Sequence, residues 1–355
     1  MRRLEELNKS YINGEWVEGQ SERAIDILNP YDNSVITTVR LATKKQLHEA
    51  FEVAQQAQKQ WAKSSAEERK RVLRKVIEHF QKNRDAIRSL LVRETGSTML
   101  KANIEIDLTL AQLKAALDYT DAIEQVREAP SMIPGKVNRI YRLPIGVIAS
   151  ISPFNFPLHL SMRTIAPAIA LGNAVVHKPD LQVGLSGGSV IAKAFEEAGL
   201  PKGVLNVLLT EVAEIGDDML TNPIPRLISF TGSTAVGRKI GEIAGRNLKR
   251  VALELGGNSP FVVLSDADVD KAVEAAVFGK FVHQGQICMA INRFIVHQDK
   301  YDGFVAKFVE KVKTLPCGDP SDPKTIVGPL INERQMQKAL QIIEEAKREG
   351  VKVAL

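Results

Sequence analysis

The chain has 355 residues, 44% hydrophobic and 25% charged, the balance of an ordinary globular protein too long for one hydrophobic core; two or three domains are expected. Its formal net charge of +5 comes from Lys and Arg interleaved with Asp and Glu, not from a basic block, which argues against a nucleic-acid surface. Two cysteines, Cys288 and Cys317, exclude a disulfide scaffold, and no apolar run reaches the roughly 18 residues of a membrane span.

The N-terminus, Met1-Arg2-Arg3-Leu4-Glu5-Glu6, has no apolar signal core, so a cytoplasmic protein is expected. Residues 10–40 read as short strands and turns, with an Asn-Gly turn signal in Tyr11-Ile12-Asn13-Gly14-Glu15-Trp16. Helical patterns follow over 44–62, 65–94 and 101–125. The second opens on Ser64-Ser65-Ala66-Glu67-Glu68, a capping-box pattern. It also carries the densest basic run, Arg69-Lys70-Arg71 with Arg74 and Lys75. With Glu67, Glu68 and Glu78 mixed in and few aromatics, that run reads as a solvated helix face.

Residues 129–145 break the helical pattern. Val137-Asn138-Arg139-Ile140-Tyr141-Arg142-Leu143 alternates as an exposed strand does: either an edge for another subunit or a surface hairpin within one. From 146 to 254 short apolar runs alternate with helices. Strands are expected at 147–151, 174–177, 204–208, 227–230 and 250–253, and helices at 158–171, 184–198, 213–220 and 234–245. That is the signature of a buried parallel sheet in a doubly wound α/β domain. Residues 258–355 begin a second αβ region.

Several segments could carry chemistry. Gly232-Ser233-Thr234-Ala235-Val236-Gly237 follows a strand and opens a helix, a setting for a phosphate or an ordinary turn. His177-Lys178-Pro179-Asp180 ends another strand of the same sheet, where Lys178 either meets a ribose or phosphate or is a solvated lysine. Pro153-Phe154-Asn155-Phe156-Pro157 holds an amide between prolines and aromatics, as an oxyanion hole or an asparagine turn would. Gln284-Gly285-Gln286-Ile287-Cys288 sets a lone thiol beside a glycine turn, and Glu254-Leu255-Gly256-Gly257-Asn258 a carboxylate beside two glycines. Together they suggest covalent catalysis by sulfur. No metal-ligand spacing is read.

These motifs, in this order, resemble the NAD(P)-dependent aldehyde dehydrogenase family. The resemblance runs from Ile12-Asn13-Gly14-Glu15-Trp16 to Gly328-Pro329-Leu330-Ile331. The form His283-Gln284-Gly285-Gln286-Ile287-Cys288-Met289 looks most like the bacterial benzaldehyde and vanillin dehydrogenase branch. The resemblance implies a dinucleotide-binding domain (1–128 and 146–254), a β-hairpin oligomerisation arm (129–145) and a catalytic domain (255–355) that is incomplete at its C-terminus, since family members continue further. It implies Cys288 as nucleophile, Asn155 as oxyanion donor and Glu254 as general base. NAD would be held by Ile151, Ser152, Pro153, Phe154, Lys178, Asp180, Gly232, Ser233, Gly237 and Leu255. The substrate would be a small-molecule aldehyde, with an aromatic one expected, and the intact protein a homodimer or homotetramer without nucleic-acid or membrane partners. Leu181 stands where many NAD-preferring relatives carry Glu, so NADP is admitted too. Thr210 and Val212 replace two glycines common near the adenine. A CoA-acylating semialdehyde dehydrogenase and a non-catalytic protein on the same scaffold are the alternatives. Glu254 argues against the first, and Cys288, Glu254 and Asn155 together against the second.

Overall fold

The computed structural model describes residues 7–355, so the N-terminal stretch read above for a signal core lies outside the described residues. The chain divides into two compact units: the segments up to Ile27, Val35–Leu90 and Ile104–Glu254, and the segments Leu28–Ser34, Leu91–Asn103 and Leu255–Leu355. The sequence reading gave the two short early segments of the second unit to the first domain.

Asn13 and Gly14 take φ of 52° and 76°, the left-handed pair that a two-residue hairpin needs. They turn β1 (Ser10–Ile12) into β2 (Glu15–Val17). Strands β3 (Ala24–Leu28) and β4 (Val35–Arg40) form a separate pair. Helix α1 (Lys44–Trp61) opens on a full capping box of Thr43 and Gln46 that the sequence reading passed over. At α2 (Ala66–Lys82) only half of the expected box forms, Ser65 accepting from Glu68 N at 3.2 Å. The expected 65–94 helix breaks at Asn83, whose side chain donates to His79 O at 2.9 Å, and α3 (Arg84–Thr95) starts afresh. Helix α4 (Met99–Tyr119) follows.

Arg69 corrects the reading of a solvated basic face. It is 2% exposed, and its guanidinium donates to the carbonyls of Ala62, Ser64 and Ala170. A fixed cation thus satisfies orphan carbonyls just beyond α1 and at the last residue of a later helix, α5 (Pro157–Ala170). Lys70, by contrast, pairs with Asp121 at 2.7 Å, and Arg71 and Arg74 stay exposed.

Strands β5 (Arg127–Pro130) and β6 (Val137–Ile140) pair with each other as an antiparallel hairpin. Beyond them come β7 (Val147–Ile151), α5, β8 (Ala174–Lys178), α6 (Val190–Glu197), β9 (Leu205–Val207), the single turns α7 (Val212–Ile215) and α8 (Asp218–Thr221), β10 (Pro225–Thr231), α9 (Thr234–Arg246) and β11 (Arg250–Glu254). The helix expected at 184–198 begins instead as a widened turn of i→i+5 bonding over Leu185–Ser189. The main sheet runs β11-β10-β7-β8-β9-β1-β2: five parallel strands, then β1 antiparallel to β9, and β2 antiparallel to β1. β7 and β8 are buried almost throughout, as their apolar runs imply, whereas β11 is an exposed edge.

His177 sits fully buried on β8 and ties neighbouring elements together. Its Nε2 lies 3.0 Å from Gly187 O, an acceptor only, so that nitrogen carries the proton. Nδ1 then accepts from Ser150 Oγ at 2.9 Å.

The second unit pairs β12 (Pro260–Val263) with β13 (Arg293–Val296) in parallel, covered by α10 (Val269–Phe281) and α11 (Gln298–Lys313); α12 (Glu333–Arg348) follows. Its core holds Val263, Val273, Ala276, Val277 and Phe304, and the Phe304 and Phe308 rings stack at 5.8 Å.

Two predictions follow from the first unit's buried polar groups. Arg69→Met should strand the buried Ala170 carbonyl and the partly buried carbonyls of Ala62 and Ser64 and cost about 2–4 kcal/mol, read as a lower urea midpoint at unchanged slope; an unmoved midpoint would refute the capping role. Burial lowers the His177 pKa from 6.5 to about 4. The unfolded chain therefore binds the extra proton first, and stability present above pH 6.5 drains away as pH falls towards 4, by on the order of 3 kcal/mol. His177→Asn should flatten that part of the stability–pH curve; an unchanged slope would remove His177 as its source.

Candidate active site

The strand order reverses between β7 and β10, so loops at their carboxyl ends diverge and leave a crevice. Ile151 pairs with Phe230, which sets the loop Ser152–Phe156 beside Gly232 and Ser233. The expected cofactor residues of the first unit thus share one edge. Ser152 is buried and stitches β7 to β8: its N–H donates to Lys178 O at 3.2 Å and its carbonyl accepts from Asp180 N at 3.0 Å. Ile151, Pro153 and Phe154 are half-buried on the same turn.

Lys178 extends from the end of β8. Burial pushes its ammonium below the ordinary lysine value, opposed by the charges of Asp180 and Glu211. Among the described residues it forms no ion pair, only a long bond to Pro179 O at 3.4 Å. A desolvated cation beside a crevice suits a ribose or phosphate. Asp180 is occupied locally, accepting from Gln182 N at 3.0 Å.

At the start of α9 the Ser233 hydroxyl accepts from Val236 N and its carbonyl from Gly237 N, leaving the N–H groups of Thr234 and Ala235 for a ligand. The two glycines are also constrained by packing. A Cβ on Gly232 would meet the Phe230 ring at 2.4 Å, and Gly237 is buried within the helix.

Asn155 is held by its own turn. Its side-chain oxygen accepts from Phe156 N at 3.0 Å, and among the described residues its amide Nδ2 has no acceptor. That leaves a donor for an oxyanion. The next residues open α5 on the carboxylate of Glu105, which is fully buried and accepts from Leu158 N at 2.8 Å and His159 N at 3.3 Å. Glu254 ends β11, its carbonyl accepting from Gly232 N at 3.0 Å, and its carboxylate meets Arg163 of α5 at 3.0 Å.

Cys288 and Leu255 belong to the second unit. The thiol is free and exposed. It follows three consecutive left-handed residues, His283, Gln284 and Gly285, with φ of 51°, 56° and 74°. Two of the three carry side chains, so the loop stores strain and must be held. Gln284 donates to Gly96 O at 3.4 Å, and the Gln286 side chain accepts from Ile331 N at 3.1 Å. A Cβ on Gly257 would press on Cys288 O at 3.3 Å, which explains one of the two glycines after Glu254. His283 is fully buried, and burial together with the charge of Lys101 drives its pKa well below the usual histidine value.

The sequence reading missed Glu105 and Arg163. Arg163 had a signal, as the one formally charged residue in α5. Among the described residues no cluster of His, Cys, Asp and Glu could hold a metal, and no helix is long and apolar enough to cross a membrane.

Comparison with known proteins identifies the family. A model of the aldehyde dehydrogenase family matches residues 16–355. AldY of Bacillus subtilis (strain 168), described as an aldehyde dehydrogenase, is 68% identical over 352 residues, covering 99% of this chain and 73% of its own. Benzaldehyde dehydrogenase YfmT of the same strain is 48% identical over 350 residues, covering 99% of this chain and 72% of its own. The crystal structure of an NAD-dependent benzaldehyde dehydrogenase from Corynebacterium glutamicum superposes with a TM-score of 0.93 at 48% identity, covering 97% of this chain and 75% of that one. A match running from Trp16 to Leu355, with relatives of this similarity, means that the chain belongs to the aldehyde dehydrogenase family.

Proposed function

We propose that the protein oxidises an aldehyde to a carboxylic acid with NAD, accepting NADP as well, and that its substrates are aromatic aldehydes of the benzaldehyde or vanillin kind. The observation that carries the reading is Asn155: an amide donor locked by its own turn, in a chain of this family that also keeps Cys288 and Glu254. The aromatic preference rests on likeness to benzaldehyde dehydrogenases at 48% identity.

The first unit's edge fits a dinucleotide. Lys178, a desolvated cation without an ion pair among the described residues, would hold the adenosine ribose, and the first turn of α9 the pyrophosphate. Leu181 brings no carboxylate to repel a 2′-phosphate. When bound, the nicotinamide supplies the acceptor for a hydride. The protein's own groups do the rest. The Cys288 thiolate attacks the carbonyl carbon, forming a C–S bond, and the carbonyl electron pair moves to oxygen as an oxyanion. Asn155 Nδ2 and the Cys288 backbone N–H donate to that oxygen. Loss of hydride leaves a thioester on Cys288. Water then attacks the thioester carbon while Glu254 takes its proton, and the C–S bond breaks to return the thiolate and release the acid.

The β5–β6 hairpin supports self-association as a dimer or tetramer, since Val137, Ile140, Tyr141 and Leu143 are all largely exposed.

Assays of NADH formation from benzaldehyde and vanillin test the reading, with free acid as product; acyl-CoA in its place, or a clear preference for short aliphatic aldehydes, would overturn it. Cys288→Ala should abolish oxidation. Glu254→Gln should give one burst of NADH and then stall as thioester, detectable by mass spectrometry of the intact protein; full steady-state turnover would remove Glu254 from the base role. Asn155→Ala should lower kcat by ~10²–10³, and a loss below threefold would argue for the plain asparagine turn.

A further inference from the structure

Building on the aldehyde-oxidising reading, we propose that Arg163 is a positioning residue for Glu254, holding the base in the orientation that hydrolysis of the thioester requires. The contact joins Arg163 Nη2 to one carboxylate oxygen, Oε1, at 3.0 Å. The second oxygen, Oε2, is thereby left to take the proton from water. Arginine keeps its own protons throughout, so it can orient the carboxylate without competing as an acid.

Both ends of the contact stand on fixed backbone. On the arginine side, Thr164 is the next residue, and its Oγ1 lies 2.8 Å from Ser229 Oγ on β10, pinning that turn of α5 to the sheet. The helix is fixed at its start by Glu105, through Leu158 N and His159 N. On the glutamate side, Glu254 pairs in register with Thr231 of β10, and its carbonyl accepts from Gly232 N. Two side chains mounted on one sheet, one on a covering helix and one at a strand end, meet with little freedom left in their backbones. The side chains themselves are 45% and 58% exposed, so the pair adds little to stability. Its effect lies in selecting one rotamer of a glutamate that would otherwise sample several at an exposed strand end.

The step assigned to this geometry is the second half of the reaction. The water oxygen bonds to the thioester carbon, its proton moves to Oε2, and the C–S electron pair returns to sulfur. Arg163 keeps its ion pair with the carboxylate before and after the transfer and gives up no proton.

Stopped-flow NADH traces on the full chain separate the two halves of the reaction. Arg163→Gln should leave the burst rate and amplitude unchanged and lower the steady-state rate about fivefold, the kinetic equivalent of roughly 1 kcal/mol. Arg163→Lys, which keeps the charge but not the fork, should recover part of the loss. Added to Glu254→Gln, either substitution should change nothing further, because a residue that acts through Glu254 has nothing left to act on. Equal loss of burst and steady state, or a loss that multiplies in the Glu254→Gln background, would overturn the inference. Should Arg163→Gln fold poorly, as judged by circular dichroism, the Lys variant carries the same two comparisons. A wild-type chain that forms no NADH from any aldehyde would overturn the underlying reading and the positioning role with it, an outcome distinct from normal turnover that Arg163 does not influence.

Discussion

The parallel pairing of β7 with β10 is the interaction on which the first unit's chemistry depends. These strands are far apart in sequence, and each sends its chain to a different side of the sheet. Because Ile151 lies opposite Phe230, the turn after one strand and the turn after the other end level with each other. Everything assigned to the cofactor edge hangs from those two turns. The same register carries the proposed base, since Thr231 in turn lies opposite Glu254 on β11. A slip of one residue in β10 would invert its buried face and displace both groups together, so the apolar alternation of Leu227–Phe230 indirectly specifies where the carboxylate stands.

The second unit meets a different constraint. Its proposed nucleophile, Cys288, follows a loop with three left-handed residues in succession, of which only Gly285 adopts that conformation without cost. Such a loop persists when its surroundings over-determine it. Gln284 and Gln286 supply that support through the Gly96 carbonyl and the Ile331 amide, and Gly257 and Gly328 lack the side chains that would crowd it: a Cβ on Gly328 would meet Gln284 Nε2 at 2.5 Å. Both glutamines of the Gln-Gly-Gln-Ile-Cys stretch thus shape the backbone that delivers the thiol.

Much of the parallel sheet was legible in the sequence because its strands are short, apolar and flanked by turns. Val147–Ile151 and Ala174–Lys178 are nearly continuous apolar runs, and they are buried. What escaped was decided by side chains reaching across the fold. Nothing local marks Arg69 as a buried cap; it sits in a run of cations with acids on either side, and only the ends of two helices arriving beside it make it different. Glu105 likewise looks like one more charge on a long helix until the N-terminus of α5 arrives on it. The break at Asn83 was local yet still hidden, since Asn in a helical pattern is unremarkable until its side chain caps the preceding turn. At the candidate site Gly232 shows a limit of another kind, because a glycine whose Cβ would meet a neighbouring ring and one that lets a ligand approach look alike in sequence.

The buried polar groups of the first unit share a logic that bears on catalysis. Ser150, Ser152, Ser161, His177 and Glu105 are all nearly inaccessible, and they cluster beneath the turn that carries Asn155. An apolar core of the same shape would be simpler to build, because every buried polar atom must find a partner or pay a desolvation penalty. Satisfied polar networks, however, admit far fewer arrangements than interdigitated methyl groups, and a turn resting on one is held in a single register. His177 spans Ser150 on β7 and the Gly187 carbonyl beyond β8, while Ser161 of α5 reaches back to Ser152 at 2.8 Å. The proposed oxyanion donor is therefore mounted on a helix and two strands at once. Preorganisation of this kind lowers the reorganisation demanded in the transition state, where a donor that must first move into place contributes little.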